Sequence, residues 1–374
     1  MSMKTKLLSF FLLAMFLVST ISVAGELEGV KVGTGTLKVG GIYQAWFYAT
    51  NYDNNINFLG NTKYTSFQSK RARMLLWGTI VPDKVKYFAQ MDFAGTPAFL
   101  DYKMIVMGYI PHTSVTVGRF LPYWTLYMHK PVSQLELINY PLFISSFKFA
   151  GMPTDYRMGM WRQVGIQTAT DMDAFSVYLG CFNGADGVNN TNDNNDAKDF
   201  MARLDVNPEM ENMSLLVGGQ FWMGRHRIDE DHDKNNTAFG GFASLDYNKM
   251  VKFRGEYLMK TVVEGWDKDP TNSALDDLGS SGFYAMAGYC ATDWLEVLAR
   301  YDKYDPNTDC DDDGVSAITF GTNFMIHKYN AMISLNLIKN DEEWDLQDPA
   351  YPNDPDKRID FDNDEAIVQF QIAF

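Results

Sequence analysis

Apolar and polar residues alternate along this chain in segments about ten residues long. Examples are "VKYFAQMDFA", "SVTVGRF" and "WLEVLARYDKY", and about 16 such segments follow one another to the C-terminus. Alternation with period two places successive side chains on opposite faces of a strand. Most segments have the length that a tilted strand needs to cross a bilayer, about 9–11 residues. The pattern predicts an all-β protein whose strands each carry one apolar face.

The connections between these segments alternate in length. The short ones are "VPDK", "YIPHT", "TDMD", "NPEMEN", "NKM", "ATD" and "HKYN", whereas most of the others are long and polar. All 13 prolines fall in connections, as a continuous hydrogen-bonded ladder requires. Short turns at one end and long loops at the other are typical of a transmembrane antiparallel barrel. We therefore expect about 16 strands with short periplasmic turns and long external loops.

The chain closes on a strictly alternating segment, "EAIVQFQIAF", which ends with Phe374. In a closed barrel the last strand must pair with the first, because no sheet edge can face lipid. Val368, Phe370, Ile372 and Phe374 are predicted to face the lipid. Such an end also resembles the signal that the barrel-assembly machinery reads in bacterial outer-membrane proteins, and Phe374 is our candidate for it.

The N-terminus has the layout of a secretory signal peptide. Lys4 and Lys6 precede a long apolar run that ends at Ser22-Val23-Ala24, a small-x-small cleavage site. We interpret residues 1–24 as the signal peptide and residues 25–374 as one outer-membrane barrel domain; an uncleaved membrane anchor is the alternative. No later stretch approaches the ~18 consecutive apolar residues of a membrane-spanning helix. The expected location is the outer membrane of a Gram-negative bacterium.

Enzymatic chemistry has little support in the sequence. The five histidines are scattered, and no His-Glu-x-x-His metal motif, Gly-x-Ser-x-Gly elbow or Walker-type phosphate loop occurs. The three cysteines form no spaced pattern. Asp309, Asp311 and Asp313 have the spacing of a calcium-loop start, but a solvated acidic loop is the simpler interpretation. We expect no enzyme, no cofactor, no bound metal and no nucleic-acid partner.

Several longer stretches resemble the phosphate-selective porins O and P. The clearest are "RARMLLWGTIVPDKVKYFAQMDFAG", "FLDYKMIVMGYIPHTSVTVGRFLPYW" and "ARYDKYDPNTDCDDDG" followed by "FGTNFMIHKYNAMISLNL". A basic pair in strand two, an Asp-Phe pair in strand three and "VGRF" before a long insertion are typical of that family. The resemblance implies an outer-membrane diffusion pore, usually a homotrimer, without settling which ion it prefers.

The third long loop, from Phe120 to Arg157, is rich in aromatic and apolar residues and poor in acids. A solvated surface loop would not be so apolar, so we expect this segment to fold into the lumen and narrow it. A hydrophobic cap or a subunit contact is the alternative.

Alternation also assigns the charged residues of the wall. Eight bases and six acids are predicted to face the lumen, which gives a mildly basic lining in a chain of net charge -15. A charge on the lipid face costs about 2–4 kcal/mol at mid-bilayer, so these side chains would point inward for that reason alone. They either pair into a scaffold or attract anions, as basic rings do in anion pores. The candidate pore-lining residues are these eight bases, Arg71, Arg73, Lys103, Arg203, Lys252, Arg254, Lys260 and Arg300, together with Arg119 and Lys130 near the expected constriction.

These observations favour a passive porin for small solutes with a modest, phosphate-like anion preference. A non-selective or cation-preferring porin is the first alternative, because the chain as a whole is acidic. A plugged structural or adhesive barrel is the second. The expected partners are small anionic or hydrophilic solutes, outer-membrane lipid and lipopolysaccharide, and the assembly machinery.

Overall fold

The computed structural model describes residues 30–33, 35–50, 65–145, 158, 161–184, 197–227, 233–262, 278–308, 314–343, 346–347, 358–359 and 364–374. Over these residues the regular secondary structure is almost entirely β. One antiparallel sheet joins 18 strands, two of which, Val30–Val32 and Glu209–Met210, are only two or three residues long. The other 16 form a closed wall, which confirms the predicted fold class.

The first eight wall strands in chain order are β1 (Gly35–Thr50), β2 (Thr65–Val81), β3 (Val85–Asp92), β4 (Ala98–Ile110), β5 (Thr113–Phe120), β6 (Gln163–Met172), β7 (Phe175–Phe182) and β8 (Asp199–Val206). The second eight are β9 (Met213–Arg227), β10 (Asp233–Tyr247), β11 (Val251–Val262), β12 (Leu278–Thr292), β13 (Leu295–Asp305), β14 (Val315–His327), β15 (Ala331–Glu342) and β16 (Glu365–Ala373). Each strand pairs with its neighbours in chain order.

The last strand closes the barrel, as the alternation of the C-terminal segment predicts. Phe370 of β16 lies opposite Ile333 of β15 on one side and opposite Ala45 of β1 on the other. Phe374 and Gly41 exchange two backbone hydrogen bonds of 3.0 Å each. A Cβ at Gly41 would come within 2.7 Å of the Phe374 ring, so the missing side chain leaves room for that ring on β1.

The short turns are built from residues that tolerate a left-handed backbone. Among the described residues, the non-glycine residues with positive φ all lie there: Asp83, His112, Asp173, Asn212, Asn248, Lys249 and Lys328. Asp and Asn adopt this conformation more readily than other residues, and they are typical of tight turns.

Several strands extend further than the alternation predicts. β1 and β2 have 16 and 17 residues. β9 and β10 remain paired through a stretch that the sequence predicts to be a loop, and their last pair is Arg227 opposite Asp233. The physical reason is that a hairpin can continue into water on backbone hydrogen bonds alone. Beyond the hydrocarbon layer neither face needs to be apolar, so the alternation stops before the strand does.

The third long loop folds into the barrel, as predicted. We call residues 121–162, between β5 and β6, loop 3. The structure describes this loop continuously as far as Ser145. In that stretch the residues from Trp124 to Met128 are buried, and Val132–Gln134 form a short 3-10 helix. Residues 146–157 of the predicted segment lie outside the described residues. In the part of the chain that is described, no helix is long and apolar enough to span a membrane.

Replacing Phe374 with Asp should reduce assembly of the barrel, because a charged side chain would replace the ring that rests on Gly41 at the last-to-first junction. Phe374→Tyr keeps the ring and serves as the control. The measurement is the fraction of heat-modifiable protein in outer-membrane preparations. Equal fractions for the Asp and Tyr variants would contradict the prediction.

Candidate functional site

Loop 3 packs against the wall on one side of the lumen, which we call the filled half, and borders a cavity on the side of β1 to β4, which we call the open half. On the filled side its aromatic residues pack against inward-facing residues of β7 to β13. Trp124 meets the Trp222 ring edge-on at 5.6 Å, and Phe182 stacks on the other side of Trp222 at 5.4 Å. Because Trp124 and Trp222 are both fully buried, this half holds a dry hydrophobic core.

Polar side chains of the wall hold the loop 3 backbone in place. Inside the barrel this irregular backbone has no strand partner, so its N–H and C=O groups must be satisfied by side chains. Donors from the wall include Arg203 to Thr125 O at 2.9 Å, Arg300 to Asn139 O at 2.9 Å, Asn323 to Glu136 O at 2.8 Å and Gln371 to Ser133 O at 2.9 Å. Acceptors include Glu256 for Leu126 N at 3.1 Å, Gln167 for Tyr123 N at 3.1 Å and Asp302 for Leu142 N at 3.3 Å.

Two of the predicted site residues, Arg203 and Arg300, anchor this loop as members of buried ion pairs. Arg203 donates twice to Asp205, at 2.6 and 2.8 Å, and Arg300 donates to Asp302 at 2.7 Å. Arg203 also lies 4.3 Å from the centre of the Phe242 ring. Their positive charges are paired with carboxylates of the wall, and their remaining N–H groups bind carbonyls of loop 3.

Lys252 and Arg254 are also paired. Lys252 lies 2.6 Å from Glu296, and Arg254 contacts Asp246 at 2.8 Å and Glu136 of loop 3 at 3.3 Å. Lys260 is buried on β11, opposite Ala238 of β10.

On the open side, a cavity of about 250 Å³ lies between loop 3 and the wall formed by β1 to β4, and we call this cavity the passage. Its lining includes four basic side chains and one carboxylate: Arg73, Lys103, Lys130, Arg162 and Asp101. This passage is the candidate functional site.

The arginines around the passage are fixed by the wall. Arg73 donates to Asp92 at 2.9 Å, and Arg71, two residues away on the same face, donates to Gln44 at 2.6 Å. Arg162 donates twice to Asp101, at 3.1 and 2.9 Å. These contacts hold the guanidinium groups in place without cancelling all of their charge.

Arg119 and the two lysines complete the basic cluster. Arg119 donates to the backbone carbonyl of Phe99 at 2.6 Å. Lys103 lies between two aromatic rings, 5.4 Å from the centre of Phe88 and 5.6 Å from that of Phe120. Lys130, on loop 3, is 3.6 Å from Glu136. The predicted residues therefore separate into five around the passage and five on the filled side.

The sequence-based assignment missed Arg162. It lies one residue before β6, whose inward residues Gln163 and Gln167 are odd-numbered and buried. Simple alternation would have placed Arg162 outside, but before the strand begins the backbone need not follow the pleat. Its side chain therefore reaches Asp101 in the lumen.

A stack of three rings forms part of the loop 3 side of the passage. Tyr178 and Tyr123 stack at 4.8 Å with an interplanar angle of 10°, and Tyr123 stacks on His129 at 4.9 Å. Burial, reinforced by the positive charge of Arg203, lowers the pKa of His129 to about 3. The imidazole is therefore neutral near pH 7 and acts as an aromatic surface.

The calcium-like motif from Asp309 to Asp313 lies outside the described residues. Within the described ranges, no group of three or more His, Cys, Asp or Glu side chains is arranged to hold a metal ion. Cys181 and Cys290 are free thiols.

Comparison with known proteins identifies the fold. No protein-family model matches the chain, and no curated protein sequence matches it. Several solved structures do match the chain. The outer-membrane channel DcaP of Acinetobacter baumannii superposes with a TM-score of 0.65 at 11% identity, over 93% of this chain and all of that one. Salmonella typhi OmpF in complex with daunomycin gives 0.58 at 11% identity, with the same coverage.

A third similar structure is the outer-membrane-expressed OmpT of Vibrio cholerae, with a TM-score of 0.57 and 12% identity over 93% of this chain and all of that one. At these identities the likeness establishes the fold alone. The chain has the 16-stranded barrel of the outer-membrane porins and channels, and the narrower resemblance to the phosphate-selective porins O and P finds no matching family model.

Arg203→Met should destabilise the barrel by about 3–5 kcal/mol, because it leaves the buried Asp205 carboxylate and the Thr125 carbonyl without their partner. The measurement is the free energy of unfolding in detergent micelles. Lys103→Met is the control, since Lys103 contacts aromatic rings on the open side. An equal loss for both variants would mean that the Arg203 pair does not anchor loop 3.

Proposed function

We propose that this protein is a passive diffusion channel of the outer membrane with a modest preference for small anions, including phosphate-like solutes. The observation that carries the proposal is the basic cluster around the passage that loop 3 leaves open. Arg73, Lys103, Lys130 and Arg162 line it together with Asp101, and Asp92 and Arg71 lie next to Arg73.

The electrostatics of a narrow passage support this preference. A cleft with protein walls focuses the field of its charges and raises the local concentration of the opposite ion. In a passage of this kind the nearby excess of basic groups counts more than the net charge of the whole chain. Rings of basic side chains select anions in other pores on the same principle.

The cellular setting of the proposal follows from the barrel. The apolar side chains of alternate strand positions, such as Phe320 and Phe253, are exposed on the outer face and suit contact with lipid. We propose export with cleavage after residue 24, insertion by the barrel-assembly machinery and a location beside lipopolysaccharide. A homotrimer is the proposed assembly; one of the structurally similar proteins, OmpT of Vibrio cholerae, was solved in a trimer form.

A cation-preferring channel is the second candidate, and the net charge of -15 favours it. If charges outside the passage dominate the field, cations would be enriched at its entrance. The two candidates predict opposite signs for the reversal potential across a salt gradient. A barrel without any conductance would instead favour an adhesive or structural role.

The test uses purified protein in a planar bilayer with a KCl gradient. We expect a reversal potential that reports anion preference at low salt and that declines at high salt, because the Debye length falls from ~10 Å at 0.1 M to ~3 Å at 1 M. Replacing Arg71 and Arg73 together with Gln should shift the reversal potential towards cations, since Arg73 lines the passage and Arg71 lies two residues away on the same face of β2.

Lys31→Gln is the control for this experiment, because it removes one exposed positive charge on the short strand before β1. It should leave the reversal potential unchanged. Cation preference of the unaltered channel at 0.1 M salt would overturn the proposal. A double variant that unfolds more readily while keeping its selectivity would assign Arg71 and Arg73 to the scaffold alone.

A further inference from the structure

A groove crosses the outer face of the wall from β10 to β14. It is a depression of about 550 Å³, which we call the outer groove, and five small residues form its floor: Ala243, Gly255, Ala285, Ala287 and Ala299. The residues between these positions point inward; Arg254 and Arg300, for example, contact loop 3. Because successive side chains of a strand lie on opposite faces, the outer groove opens towards the lipid.

The strand register gives the outer groove an oblique course. Its floor residues occupy two adjacent rows of the sheet, the first on β10, β11 and β12 and the second on β12 and β13. Tyr301 lies opposite Ala285 at one end of the first row, and Phe253 lies opposite Ala287 at the other end of the second. Both rings are exposed. The floor is therefore a narrow band with a protruding ring on each side.

Packing within the wall does not explain why this band is built from such small residues. A Cβ at Gly255 would come no closer than 3.4 Å to another atom, and Gly219 and Gly241, which continue the band on β9 and β10, leave 3.5 and 3.4 Å. At their inward neighbours Gly218 and Gly240, in contrast, a Cβ would meet a backbone oxygen at 2.6 and 2.2 Å. Glycine weakens a strand and often marks the close approach of a ligand or another backbone. Here that approach comes from outside the barrel.

The shape and chemistry of the outer groove fit a thin, flexible and apolar occupant. Alanine and glycine side chains offer no hydrogen-bonding group, so the floor does not suit water or a lipid headgroup. The wall of a second barrel is convex and would touch the rings of Tyr301 and Phe253 before it reached the floor. A hydrocarbon chain fits between these rings and gains van der Waals contacts with the floor and with both sides.

The outer groove lies close to the short-turn side of the barrel. Tyr247 and Tyr289 face outward in the row next to the floor, two residues nearer the short turns, and both are exposed. Outward tyrosines of this kind mark the boundary between hydrocarbon and headgroups. A lipid with its headgroup at these tyrosines has its acyl chains at the level of the floor. Since the short turns are periplasmic, that lipid belongs to the periplasmic leaflet, which consists of phospholipid.

We propose that the outer groove binds one acyl chain of a phospholipid from the periplasmic leaflet, with the chain lying on the alanine and glycine floor between Tyr301 and Phe253. The inference depends on the position of the barrel in the outer membrane and not on the ion that the passage prefers. A cation-selective channel would leave it standing. It also assigns this side of the barrel to lipid, so that a homotrimer would pack through another part of the wall.

The experiment uses the purified protein in vesicles of phosphatidylethanolamine that contain a small fraction of the same lipid with a diazirine on one acyl chain. Irradiation links the chain to the residues that it contacts, and mass spectrometry of the peptides locates the links. We expect about 2- to 5-fold more links on the outward residues of β10 to β13 than on those of β4 and β7, the ratio that a few additional van der Waals contacts produce.

Filling the outer groove should remove this excess. Ala243→Leu combined with Ala285→Leu places two larger side chains on the floor. The control combines Ala89→Leu and Ala202→Leu, the same changes at outward positions of β3 and β8, opposite Leu76 and Leu179. Leucine suits a lipid-facing position, so both double variants should fold, and heat-modifiability checks that they do. The groove variant should lose the excess of links, and the control should keep it.

Three results would overturn the inference. The first is equal linking around the whole wall of the unaltered protein. The second is an excess on β10 to β13 that survives in the groove variant. The third is a depletion of links on β10 to β13 relative to β4 and β7, which would show that a second copy of this chain covers the outer groove instead of lipid.

Discussion

The requirement that every backbone polar group within a bilayer find a partner shapes the whole molecule. It forces the chain into a sheet without edges, and so β16 must reach β1 and end beside Gly41. The same requirement governs loop 3, because an irregular segment inside the barrel has no strand to pair with. Its backbone is satisfied by wall side chains such as Arg203 and Asn323, which must therefore be polar and face inward.

From this follows the asymmetry of the lumen. The polar groups that hold loop 3 lie mainly on β8 to β16, and between them its aromatic residues form a dry core with Trp222 and Tyr284. The cavity that remains lies on the side formed by β1 to β4. The buried ion pairs of the filled half are not available to a passing ion. Arg73 and Lys103 on the open side are placed to act on one.

The sequence predicts the barrel well because the bilayer imposes a simple period. Alternation predicts that Arg71, Arg73 and Arg203 face the lumen, since leaving them in lipid is costly. Alternation does not predict which of these arginines donates hydrogen bonds to the backbone of loop 3. That depends on which backbone carbonyl lies within reach of each guanidinium after folding, as Thr125 does for Arg203. The alternation did not predict the inward position of Arg162, because this residue lies just before β6 begins. It did not predict the full length of β9, because a strand that continues into water no longer needs one apolar face.

Net charge and passage charge are separate quantities in this protein. The sum of -15 counts every side chain equally, wherever it lies. A solute in the passage experiences mainly the charges within about one Debye length, ~8 Å at physiological salt. There the bases outnumber the two carboxylates of Asp92 and Asp101; these bases are Arg71, Arg73, Arg162 and Lys103. Because the wall fixes those arginines through Asp92, Asp101 and Gln44, the local field is built into the fold, and changes in distant loops should leave its sign intact.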